Sequence, residues 1–208
     1  MILKYAYEDR CLDQNLSSML TLPKYQSVDK NFLTLEEIGM LYHTPYKKDV
    51  VRRATFFAIF TGLRKSDIEQ LEWNNIEQDI SGHYLLRLTM EKTGVPLSEP
   101  IPDIAMKFVG PRKKGKVFPG FSSNTINTHF KKWVEDAGIT KHITFNSTRH
   151  SFAMLLAESD TDIYIIKEMM GHQSINNTLI YAKMSGRRLK SAASRLDDLG
   201  LELDKLID

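Results

Sequence analysis

The sequence predicts a mostly helical α+β domain that carries one small three-stranded antiparallel sheet. Two observations lead there. From Thr34 onward, apolar residues recur at three- and four-residue spacing, and helix-start and helix-stop residues punctuate them. One stretch, residues 74–101, switches to alternation instead.

Each element follows from local chemistry. Residues 1–30 show no sustained helical or strand period and are broken by Pro23, so they read as a lead-in. Thr34 and Glu37 form a capping box ahead of Ile38, Leu41 and Tyr42, which starts a helix. A second helix is expected from about Asp49 to Phe60, with Val51, Ala54, Phe57 and Ala58 at helical spacing and Gly62 as its C-terminal cap. Ser66 and Glu69 make another capping box that opens a third helix, leaving Arg64 in the tight turn between two helices. In HYLLRLTM, Tyr84, Leu86, Leu88 and Met90 share one strand face. EKTG turns the chain, VPLSEPI returns as an edge strand because its prolines lack donors, and the preceding NNIEQDI supplies the third strand. Ile126, Phe130, Trp133, Val134 and Ala137 then mark a helix closed by Gly138. Further helices are expected at about 147–158 and at 162–170, the latter ended by Gly171. Ser174 caps a helix carrying Tyr181, and Leu189, Ala192, Ala193 and Leu196 mark a last one after Gly186.

A chain of 208 residues with 42% apolar and 26% charged residues can bury the core of one good-sized domain. No apolar run is long enough to span a membrane, and MILKYAYEDRC lacks a secretory signal pattern. The single Cys11 excludes an internal disulfide and offers no cysteine metal cluster, so a reducing, cytoplasmic setting is expected. Net charge is only +2, yet it is unevenly spread. Basic clusters stand at Lys47–Lys48, Arg52–Arg53, Arg112–Lys116, Lys131–Lys132 and Arg187–Lys190, while the tail LDDLGLELDKLID is mostly acidic. A phosphate-facing surface backed by an acidic one produces this pattern, and so do ordinary solvated helix faces.

Familiar nucleotide and metal motifs are absent. There is no G-x-x-x-x-G-K-[ST], no G-x-G-x-x-G and no H-E-x-x-H, and the histidines have no zinc-site spacing. The chain instead contains five separated segments: TGLRKSDIEQL at 61–71, MEKTG at 90–94, TFNSTRHSFA at 144–153, GHQS at 171–174 and NNTLIYAKM at 176–184. In order and spacing these resemble the active-site segments of tyrosine site-specific recombinases of the phage integrase family. His172 and Tyr181 keep that family's nine-residue separation, and the resemblance covers about residues 30–195.

The resemblance implies the integrase catalytic-domain fold, a DNA strand-breaking and rejoining enzyme, and a role for each matched residue. Tyr181 is the nucleophile that forms a covalent 3′-phosphotyrosine. Arg64 and Arg149 are the two forks on the phosphate, where bidentate hydrogen bonds neutralise charge dispersed over the non-bridging oxygens. Lys92 in the hairpin protonates the leaving 5′-oxygen, and His172 completes the site. Asp67 orients Arg64, and His150 plays a supporting part. A tyrosine hydroxyl has a pKa of about 10 in isolation, so neighbouring cations must stabilise its anion. The phosphotyrosine stores the bond energy, so rejoining needs no ATP. Every position has a plainer reading: Arg64 and Lys92 as surface residues of turns, with Lys65 a rival to Lys92; Asp67 as a first-turn carboxylate favoured by the helix dipole; Arg149 on a polar helix face; Tyr181 as a core aromatic. The joint pattern outweighs them.

One position departs from the family. Its H-x-x-R histidine is Asn146 here, and an amide donates a hydrogen bond but cannot take and release a proton near neutral pH. His150 lies about 100° further around the same helix, so it does not simply replace that histidine. Residues 1–30 are expected to be the linker remnant of a missing N-terminal core-binding domain. Residues 31–208 are expected to be the catalytic domain, with an exchange helix at about 186–208 that docks on a neighbouring subunit. Double-stranded DNA is the implied partner, with a homotetramer on DNA, a monomer without it, no membrane and no cofactor or metal, in a bacterial, nucleoid-associated setting. The expected function is a recombinase or integrase of a mobile element. Two alternatives stay open: a catalytically impaired DNA-binding relic of the fold, and a type IB topoisomerase-like enzyme.

Overall fold

The computed structural model describes residues 2–16, 31–122, 126 and 130–184. The chain divides into two compact units, residues 1–30 and 31–208. The expected exchange helix and the Arg187–Lys190 cluster lie outside the described residues.

In the first unit, α1 spans Ile2–Glu8, where no helix was expected. It buries no side chain, so it needs no apolar stripe and leaves none in the sequence. Its local support is an i,i+4 ion pair between Lys4 and Glu8 at 3.5 Å.

The second unit opens with α2, Leu35–His43, capped as expected: Thr34 Oγ1 accepts from the Glu37 amide, and Glu37 Oε2 accepts from the Thr34 amide. Helix α3, Asp49–Thr61, ends at Gly62, whose φ of +66° is the left-handed cap conformation. Helix α4, Lys65–Gln70, corrects the sequence reading of its start. Its cap is Arg64, whose amide donates to Asp67 Oδ2 at 3.1 Å, rather than a Ser66–Glu69 box. Asp67 wins because a tertiary partner also holds its carboxylate: Oδ1 accepts from the Glu91 amide at 2.9 Å.

The sheet has β1 (Ile76–Gln78), β2 (Tyr84–Thr89) and β3 (Pro96–Ile101) in the order β1-β2-β3, both pairings antiparallel. Tyr84 lies opposite Ile101 and Thr89 opposite Pro96, which brings the hairpin turn at 90–95 beside α4. Proline-rich β3 is the edge strand, and its inward face alternates Leu97, Glu99, Ile101. A short α5, Asp103–Met106, follows.

Helices α6 (Phe130–Asp136), α7 (Phe145–Glu158), α8 (Ile163–Met169) and α9 (Asn176–Met184) complete the described part. Helix α7 begins two residues before the expected start and runs through the interior. Ser147, Thr148, Arg149 and Ser151 are all buried on it. Ser151 Oγ accepts from the Leu33 amide at 2.8 Å and Thr148 Oγ1 donates to the Phe145 carbonyl at 2.7 Å, so these burials are compensated. A large apolar core joins α2, α3, the sheet and α6, with Phe56 stacked on Phe108 at 5.1 Å. A second cluster of Phe152, Met154, Ile166, Met170 and Tyr181 ties α7 to α8 and α9. No helix among the described residues is long and apolar enough to cross a membrane.

Gly62 shows how tight this packing is. A Cβ there would stand 2.4 Å from Phe152 Cδ1, on top of the strain of a positive φ. Gly62→Ala is therefore expected to lower unfolding free energy by roughly 2–3 kcal/mol, read from the urea midpoint at constant m-value. An unchanged midpoint would show that α3 and α7 have room to separate.

Candidate active site

Arg149 is the centre of the site. Helix α7 buries it to 4% exposure, with Nη1 donating to the Gly62 carbonyl at 2.6 Å and Nη2 donating to the Met170 carbonyl. The guanidinium thus joins the C-terminal cap of α3 to the C-terminal end of α8. Burial pushes its pKa down to about 10 and nearby Arg64 pushes the same way, while Tyr181, Asp67 and Glu99 oppose both. It stays cationic at neutral pH.

Arg64 is half-buried, with Nη1 3.2 Å from Met90 Sδ. Asp67 is 3% exposed and bridges two elements, accepting from the amides of Arg64 and Glu91. That bridge fixes the hairpin turn bearing Lys92 beside the α3–α4 turn bearing Arg64. Arg64, Lys65, Lys92, Lys131, His142 and Asn146 line one open cleft, and among the described residues no carboxylate lines it. Lys92 and its rival Lys65 share this cleft.

Tyr181 lies apart from that cleft. Helix α9 packs it into the second apolar cluster at 1% exposure. Burial pushes the phenol up to about 12, which Arg149 partly offsets. The hydroxyl meets His150 Nδ1 at 2.6 Å, and His150 Nε2 meets Asn146 Nδ2 at 3.3 Å, so two side chains link the phenol to the cleft's rim. His150 and Asn146 sit one turn apart on α7 (i, i+4), which places them on one face.

His172 follows Gly171, whose φ is +55°, and its Nδ1 is hydrogen-bonded to buried Thr178 Oγ1 at 2.8 Å. It faces a second cleft, shared with Glu99 of β3. Glu99 was missed in the sequence because strand alternation alone assigns it an inward position that a carboxylate rarely takes. It is 6% exposed, its Oε2 has no hydrogen-bond partner among the described residues, and burial pushes it up to about 8 against the pull of Arg149.

The sequence-derived residues therefore fall into four groups. Arg64, Lys92 and Asn146 line the cleft; Asp67 and Arg149 are buried and each interacts with Arg64; Tyr181 is reached through His150. His172 lines the second cleft, two residues beyond the carbonyl of Met170 that Arg149 holds. A buried arginine, a basic cleft suited to an anion and a phenol joined to its rim by two side chains define the class of this helical domain.

Comparison with known proteins agrees with that class. Residues 31–188 match the phage integrase family. The chain is 27% identical over 215 residues to the tyrosine recombinase XerC of Syntrophus aciditrophicus, covering 92% of this chain and 69% of that protein. It is 30% identical over 190 residues to the tyrosine recombinase XerA of Pyrococcus furiosus, covering 83% and 64%. Its fold is similar to the XerH site-specific recombinase in a post-cleavage complex with a palindromic difH substrate (TM-score 0.67, 21% identity, 86% of this chain and 58% of that one). It is also similar to a lambda integrase tetramer bound to a Holliday junction (TM-score 0.64, 20% identity, 83% and 56%). The chain belongs to the phage integrase family, and its helical domain is a tyrosine recombinase catalytic domain. It spans about two thirds of the length of the curated relatives it matches.

Glu99 generates a stability prediction. Its folded pKa lies above the ordinary 4.5, so its contribution is fully present below 4.5 and lost as pH rises through about 8. Between pH 5 and 9 the unaltered chain should lose roughly 2–4 kcal/mol relative to Glu99→Gln. Parallel stability curves for the two proteins would show that Glu99 ionises without penalty.

Proposed function

We propose that this chain cleaves and rejoins DNA through a 3′-phosphotyrosine at Tyr181, acting as a site-specific recombinase of a mobile element. The observation that carries the reading is Arg149: a buried cation, pinned by two carbonyls, within electrostatic reach of both Arg64 and Tyr181. An arginine so held keeps further N–H donors for the non-bridging oxygens of a phosphate, and Arg64 supplies a second fork from the cleft. As Tyr181 Oη attacks phosphorus, negative charge grows on those oxygens, and fixed cations stabilise it without reorganising. The bond from phosphorus to the 5′-oxygen breaks, and Lys92 gives that oxygen its proton. The leaving strand's 5′-hydroxyl, from either duplex, reverses the step, so neither ATP nor a metal ion is required in this scheme. His172 adds a donor at the phosphate, and Asp67 holds Arg64 and the Lys92 turn in register.

The phenol is buried, and attack requires its oxygen to reach a phosphate in the cleft whose rim it meets through His150 and Asn146. Double-stranded DNA is the proposed partner, bound across the cleft that Arg64, Lys65, Lys92 and Lys131 line. Four copies on paired sites, docked through residues 186–208, are the proposed assembly; the lambda integrase tetramer supports that number.

Tyr181→Phe is expected to abolish a protein–DNA adduct on nicked duplexes with a randomised core sequence, while DNA binding in a mobility-shift assay persists. The adducted peptide of the unaltered chain should map to Tyr181. Adducts persisting in the variant would remove Tyr181 from its role, and binding without any adduct would identify a DNA-binding relic. Site-independent relaxation of a supercoiled plasmid would point to topoisomerase activity instead.

A further inference from the structure

We propose that His150 is the base that takes the Tyr181 proton during cleavage, with Asn146 as the positioning residue that selects the histidine's tautomer. This rests on the reading of Tyr181 as the nucleophile. It also assigns a function to the residue that sequence spacing placed off the family's histidine position.

The geometry is direct. His150 Nδ1 stands 2.6 Å from Tyr181 Oη, a short hydrogen bond to the reacting atom. The opposite ring nitrogen, Nε2, stands 3.3 Å from the Asn146 amide, so the ring is addressed from both sides. A neutral imidazole carries one N–H and one lone pair, and the partner of one nitrogen decides the state of the other. With Nδ2 of Asn146 toward the ring, Nε2 accepts and Nδ1–H donates to the phenol oxygen, which favours a phenolate. A half-turn of the amide brings its carbonyl oxygen there. Nε2–H then donates, and Nδ1 is left to accept the phenolic proton. An amide serves both arrangements because it has a donor end and an acceptor end.

In the cleavage step the O–H bond of Tyr181 breaks and its proton moves to Nδ1 of His150. The Oη–phosphorus bond forms as the bond from phosphorus to the 5′-oxygen breaks, with the leaving oxygen protonated by Lys92. The resulting imidazolium donates from Nδ1 to the ester oxygen and from Nε2 to Asn146. Religation returns the proton to Tyr181 as the 5′-hydroxyl attacks and Lys92 recovers its own. Every proton has an origin and a destination on this chain.

The test compares His150→Ala and His150→Gln with the unaltered chain, each carrying tyrosine or 3,5-difluorotyrosine at position 181. Single-turnover adduct formation on the nicked-duplex pool is the readout, with DNA affinity and thermal unfolding measured alongside. Both variants should cleave about 100-fold more slowly with DNA affinity unchanged, the lower end of general-base effects. The more acidic fluorinated phenol should restore most of that loss in the variants and change the unaltered chain little. A packing role for His150 would not respond to the acidity of the phenol. Full-rate cleavage by either variant, or slow cleavage that the fluorinated phenol does not restore, overturns the inference while the Tyr181 adduct of the unaltered chain still stands. No adduct at Tyr181 in the unaltered chain overturns the underlying reading, and this inference with it.

Discussion

The burial of the Arg149 guanidinium is the constraint on which the rest of the domain depends. Removing a charge from water costs several kcal/mol unless its donors are met, and here two main-chain carbonyls meet two of the five. Each acceptor comes from a helix terminus, where carbonyls lack intrahelical partners and carry the negative end of the dipole. The α3 terminus can present its carbonyl because Gly62 turns left-handed beneath Phe152 with no Cβ in the way. The α8 terminus does so just before Gly171, which makes a similar turn against Met90. The two glycines and the arginine are thus one device, built from three distant parts of the chain.

That device leaves an electrostatic imbalance that suits an anion. Arg64 works against the charge on Arg149, and among the described residues no carboxylate lines the cleft. The nearby acids are placed for other ends. Asp67 spends both oxygens on backbone amides and so couples two turns, while Glu99, buried without a partner for one oxygen, holds its proton near neutrality.

The phenol is buried, and Arg149 acts on it from nearby. Tyr181 packs in an apolar cluster with its hydroxyl on His150, and burial raises its pKa to about 12 against the pull of Arg149. Among the described residues, a small apolar cluster, the His172–Thr178 bond and the His150–Tyr181 bond hold helix α9.

The sequence by itself determined the fold class, the family and the order of the elements from Thr34 onward. Those depend on local rules: capping at Thr34, alternation from Tyr84, left-handed glycines at 62 and 171, and five ordered segments whose residue types suit phosphoryl transfer. Even there, α1 escaped notice because an exposed helix leaves no apolar period, and the α4 cap was misassigned because its carboxylate answers to a hairpin 24 residues away. Only the tertiary structure decided which groups touch. The Arg149 carbonyl partners, the buried state of Glu99 and the contact of His150 with Tyr181 all join residues that are remote in the chain. Helical periodicity reports the angle of a side chain around its own axis; it carries no information about the neighbouring helix that side chain will meet.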